Sequence, residues 1–138
     1  MPKICWADRE ERSGGASVSR LAQWPCQIKL VPVNAPYLDG ADLLIAADCA
    51  AYACGHFHED CMRDRITLIA CPRLDGGEYA DKLAEILREN NVASVTVARM
   101  EVPCCSGLEK AVERAVAVSG RSIPWQVITL STEGKIFK

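Results

Sequence analysis

The apolar positions of this chain fall into two alternating patterns. Five short runs read as strands: residues 27–31, 42–47, 66–70, 94–99 and 126–131. Two of them, LLIAA within 42–47 and ITLIA at 66–70, are almost continuously apolar, as expected of strands buried on both faces of a parallel sheet. The third and fourth runs are separated by a helical pattern over residues 78–90, with Ala80, Leu83, Ala84 and Leu87 at i, i+3, i+4 and i+7. A second helical pattern over residues 107–119 carries Leu108, Ala111, Val112, Ala115 and Val116 and is closed by Gly120. Residues 50–62, between the second and third strands, read as a shorter helix. Alternating strands and helices imply right-handed crossovers. The expected fold class is therefore α/β: three layers, a mostly parallel five-stranded Rossmann-like sheet with helices on both faces. The turn at Glu133 and Gly134 predicts that the last residues fold back as a short edge hairpin.

Residues 7–20 (ADREERSGGASVSR) have neither period, and residues 1–20 are expected to form a flexible arm ahead of one domain over 21–138. A length of 138 residues with 49% apolar and 25% charged positions suits a single globular domain. A formal net charge of -2 with scattered Lys and Arg argues against nucleic acid as a partner. The start of the chain does not read as a signal peptide, and no apolar run approaches the roughly 20 residues of a membrane span. A cytoplasmic protein with no membrane partner is expected.

Eight cysteines change the picture. In a reducing compartment they are thiols available to a metal, not a disulfide scaffold. Their positions matter more than their number. Three of the predicted strands end in cysteine or run into it: IAAD before Cys49, IA before Cys71 and Pro72, and RMEVP before Cys104 and Cys105. Ligands of open α/β sheets bind outside the carboxyl ends of the strands, so three separate loops can bring thiols to one edge. Cys104 and Cys105 also precede a helix, whose N-terminus favours anionic sulfur. One of that pair is expected to be a ligand, with a vicinal disulfide as the competing reading. Asp48 has two roles open to it, a hydrogen bond to the centre's ligands or the cap of the following helix.

Cys54, His58 and Cys61 stand at i, i+4 and i+7, so one helical face would carry all three. Cys54 and His58 are candidate additional ligands, and Cys61 is expected to pack inward. Cys5 and Cys26 read as structural or incidental, and Trp6, Trp24 and Trp125 as packing residues. A sulfur-rich donor set suits zinc, copper(I) and iron-sulfur clusters. Neither a C-x2-C-x2-C run nor paired C-x2-C knuckles are present to choose among them. The surplus of thiols over imidazoles favours a cluster. Phosphate loops and the H-E-x-x-H, G-x-S-x-G and C-x-x-C motifs are absent.

The segments LAQWP (21–25), KLVPVNAPY (29–37), GADLLIAADC (40–49), FHED (57–60), CP (71–72), RMEVPCC (99–105) and IPW (123–125) resemble the C-terminal region of ferredoxin-like 4Fe-4S binding proteins common in anaerobic bacteria. The likeness covers about residues 20 to 138, and MEVPCC is its most distinctive part. In that family a ferredoxin segment with two clustered cysteine runs comes first, and these 138 residues do not contain it. The matching positions are Asp48, Cys49, His58, Cys71, Cys104 and Cys105, whereas Cys26, Cys54 and Cys61 depart from the pattern. The resemblance implies a 4Fe-4S cluster on Cys49, Cys71, Cys104 and Cys105. It implies electron transfer or redox sensing with a partner such as a ferredoxin or an oxidoreductase. Self-association into a homodimer is left open. Two other readings stand beside it: zinc held by the same thiolates, and a thiol-disulfide redox enzyme using Cys104 and Cys105.

Overall fold

The computed structural model describes residues 18–71, 78–102 and 106–137. Five strands form one sheet: β1 (Asp42–Ala47), β2 (Ile66–Ala70), β3 (Ser94–Met100), β4 (Trp125–Leu130) and β5 (Ile136–Phe137). Their order is β2-β1-β3-β4-β5. The first four pair in parallel, with Ile45 opposite Leu68 of β2 and Val97 of β3, and β5 returns antiparallel to β4. The sequence expectation of a mostly parallel α/β sheet holds. β1 is buried along its length after Asp42, which explains its unbroken apolar run.

The long helices are α2 (Glu78–Glu89) and α3 (Ser106–Ser119). From β2 the chain crosses over β1 to β3 and then steps on to β4, always in the same direction, so right-handed crossovers put both helices on one face. They pack against each other there. Leu83, Ile86 and Leu87 of α2 and Leu108 and Val112 of α3 are buried in the same apolar core as Val95 and Val97. Asn90 ends α2 by donating its side-chain amide to the Ile86 carbonyl at 2.8 Å and to the Val33 carbonyl at 2.6 Å. Gly120, at φ +75°, ends α3 in the left-handed conformation. The step from β1 to β2 runs the opposite way, and the connection between them lies on the other face.

That connection is not the single helix expected over residues 50–62. It splits into α1 (Ala50–Ala53) and a π-helical turn (His58–Met62). Cys54 between them is extended at φ -100° and ψ 113°, and Gly55, a poor helix former, follows it. Residues 27–31 also differ from expectation. Only Gln27 bridges to β2, at Ile69, after which the Leu30 and Val31 N-H groups both return to the Gln27 carbonyl. The buried residues are Ile28 and Val31, three apart as a turn requires, while Leu30 is 66% exposed. The fifth strand is instead β5, the edge hairpin foreseen from the Glu133 and Gly134 turn. Of the three tryptophans expected to pack, Trp24 is 76% exposed and Trp125 is 36% exposed. Among the described residues no helix is long and apolar enough to cross a membrane.

Candidate functional site

The carboxyl ends of β1 and β2 lie side by side. Ala47 is opposite Ala70, and the Asp48 N-H donates to the Ala70 carbonyl at 3.2 Å, so the pairing continues one residue past β1. Cys71 follows Ala70 directly, and Cys49 stands one residue beyond Asp48. Two thiols thus enter the same sheet edge from neighbouring strands, whose backbones run about 4.8 Å apart. Cys49 is exposed and Cys71 half-buried.

Cys49 opens α1. It stands at the N-cap with φ -82° and ψ -14°, and its carbonyl accepts from the N-H groups of Tyr52 (3.2 Å) and Ala53 (3.1 Å). No side chain caps this helix, so the capping role considered for Asp48 is not taken up. Cys104 and Cys105 lie outside the described residues, in sequence between the end of β3 at Met100 and the start of α3 at Ser106.

β1 and β3 are neighbours whose following connections leave toward opposite faces. Such a reversal opens a crevice at the carboxyl edge, the usual ligand position of open α/β sheets. Both long helices start at this edge, because each follows a parallel strand. Their first turns meet where the Tyr79 hydroxyl donates to the Gly107 carbonyl at 3.4 Å. The positive ends of two helix dipoles therefore face the edge that receives the thiols.

The face expected to carry Cys54, His58 and Cys61 does not exist, because the helix breaks at Cys54. Cys54 and Cys61 are buried, at 4% and 0% exposure. His58 Nδ1 accepts a hydrogen bond from the Arg20 N-H at 3.0 Å, so the neutral imidazole carries its proton on Nε2. Neither ring nitrogen then offers a lone pair without breaking that bond or losing a proton. The Arg20 side chain also pairs with Glu59 at 2.6 Å, tying Arg20 to the π-helical turn although the sequence placed it in the arm. Cys26 is half-buried beside β2, its carbonyl accepting from the Ile69 N-H at 2.8 Å. Among the described residues no three His, Cys, Asp or Glu side chains come together as a metal site would require.

A groove of about 700 Å³ lies at the opposite, amino edge of the sheet, between the strand starts and the π-helical turn. Asp42, Asp60, Arg63 and Thr96 line it, and Asp42 Oδ1 accepts from the Ser94 hydroxyl at 2.6 Å. No cysteine lines it. The groove is open and its charged residues are largely solvated, whereas the crevice at the carboxyl edge combines a topological reversal with two thiols. We therefore place the candidate site at the carboxyl edge.

Sequence reasoning missed what supports the loops there. The turn of the β4-β5 hairpin sits against the end of α1, and Glu101 after β3 accepts a hydrogen bond from it. Gly134 was readable only as a turn residue, since nothing local shows that its missing side chain makes room for another loop.

A family model described as a Rossmann-like domain matches residues 35–138. An uncharacterized protein of Archaeoglobus fulgidus is 32% identical over 120 residues, covering 86% of this chain and 84% of the relative. No solved structure matches the chain. The parallel sheet, its crossovers and the match to most of its length agree that this chain belongs to the Rossmann-like domain family.

Proposed function

We propose that the chain is an iron-sulfur redox protein that holds its cluster at the carboxyl edge of the sheet and exchanges electrons with a partner or senses redox state. The observation that carries this reading is the meeting of Cys49 and Cys71 at adjoining ends of β1 and β2. Two soft donors on one edge, beside the N-termini of two helices, suit a thiolate-ligated group. Cys104 and Cys105 follow β3 in the sequence and complete the donor set. Cysteine thiolates are the usual ligands of a 4Fe-4S cluster, which when bound supplies one-electron chemistry.

The residues of the chain have separate tasks. Cys49 and Cys71 hold the group. The Asp48 N-H fixes the β1 end against β2 through the Ala70 carbonyl. Exposure of Cys49 leaves one side of the site open to a redox partner such as a ferredoxin or an oxidoreductase. The likeness of MEVPCC and its companion segments to the ferredoxin-like 4Fe-4S proteins of anaerobic bacteria supports the same reading, as does an abundance of thiols suited to a reducing, cytoplasmic setting.

The test is metal and acid-labile sulfide analysis, with a visible spectrum, of protein purified without oxygen. Iron and sulfide in about equal amounts are expected. Cys49→Ala and Cys71→Ala should each lose most of both, while Cys54→Ala and Cys61→Ala keep them. Zinc without sulfide, or colourless protein, would sink the proposal.

A further inference from the structure

The turn of the C-terminal hairpin touches both loops that flank the candidate site. On one side stands Gly134, at φ +90°. A Cβ there would run into the carbonyl oxygen of Ala53 and come within 3.5 Å of the Cys54 Cα. On the other side Glu101, the residue after β3, accepts a hydrogen bond on Oε2 from the Thr132 N-H at 3.0 Å. Its own N-H donates to the Leu130 carbonyl at 2.8 Å.

The turn is internally braced. Ser131 Oγ accepts from the N-H groups of Glu133 (3.2 Å) and Lys135 (3.0 Å), and the Gly134 N-H donates to the Ser131 carbonyl at 2.9 Å. A braced turn transmits position better than a loose one. Ala53, which it meets, is bonded through its N-H to the carbonyl of Cys49, so a shift of Ala53 moves Cys49 with it. Glu101 leads in sequence to Cys104 and Cys105.

We propose that the turn at residues 131–135 is a clamp that sets the separation of the Cys49 loop from the end of β3, with Gly134 and Glu101 as positioning residues for Cys49. The thiolate centre itself rests on the reading above, but the clamp is testable without it. Cys54 lies directly beneath the turn, and Cys61 is buried in the π-helical turn. Alkylation of each buried cysteine in metal-free protein, followed by mass spectrometry, reports local opening at each place.

Gly134→Ala should raise the alkylation rate of Cys54 roughly tenfold and leave Cys61 within about twofold. The control is Gly120→Ala, which also puts a side chain on a left-handed residue, at φ +75°, but meets nothing within 4 Å. It should spare Cys54. An equal rise at Cys54 and Cys61, an equal effect of the two glycine variants, or no change at Cys54 each overturns the clamp.

In protein carrying its cluster, Gly134→Ala and Glu101→Ala should shift the visible spectrum and the reduction potential. Glu101→Gln, which still accepts from Thr132, should restore them. An unmoved potential with faster Cys54 alkylation would reduce both residues to a merely structural role. If metal analysis finds no iron, the alkylation result still decides whether the clamp exists.

Discussion

Tyr37 buries its hydroxyl with no hydrogen-bond partner among the described residues. Burial disfavours the phenolate and raises the Tyr37 pKa above its ordinary value of 10.0. An unfolded chain ionises this tyrosine first, so its contribution to stability is complete below the ordinary tyrosine pKa and is lost as the pH rises through the folded one. Tyr37→Phe should remove this alkaline loss. At neutral pH it should leave stability unchanged or higher by up to about 1 kcal/mol, since a buried hydroxyl without a partner is itself costly. Denaturant titrations at neutral and strongly alkaline pH check both expectations. A loss at neutral pH would mean that the hydroxyl has a partner. The residues of the candidate site show a different balance. Cys49 and Cys71 could be picked out from their places after apolar runs, because strand ends are readable in a buried parallel sheet. The hydrogen bond at His58 could not be read, because its partner is a backbone N-H 38 residues away.

Elements were legible where one periodicity persisted for several turns or a whole strand. The helix predicted over 78–90 and the observed α2 differ by one residue, and at that end the Asn90 side-chain amide joins the Asn90 backbone N-H on the Ile86 carbonyl. Its amide bonds two carbonyls, one of them in the segment before β1. Asn90→Ala should therefore cost about 1–2 kcal/mol, more than a surface substitution at Glu89. The urea midpoint of each variant measures the difference, and similar midpoints would show that the cap contributes little. Short elements were harder. Residues 27–31 alternate like a strand, but the choice between strand and turn depended on how much of β2 remained to be paired. Residues 50–62 have helical spacing, yet the chain must reverse over the sheet face within that length. The extended Cys54 and the π-helical turn accomplish the reversal, and no local signal competes with that demand.

At the scale of the molecule, the two-sided burial of the central strands dominates. Ile45 is fully buried in β1, between β2 and β3. Ile45→Ala should cost about 2–5 kcal/mol, lowering the denaturant midpoint with little change in slope. A smaller loss would mean that the helices can close over the gap.

The sequence by itself determined the class of the fold, the parallel strands, both long helices, the edge hairpin and the placement of cysteines after three strands. These follow from local hydrophobic period and from chain order, which a reader of residues can see directly. Only the tertiary structure decided that Cys49 and Cys71 lie on adjoining strand ends and that Cys54 is buried. It also decided that His58 serves Arg20 and that a glycine in the last hairpin fits against Ala53. These are contacts between segments far apart in the chain. Their geometry depends on strand order, crossover direction and the space left between loops, and none of those is written in the pattern of any one segment.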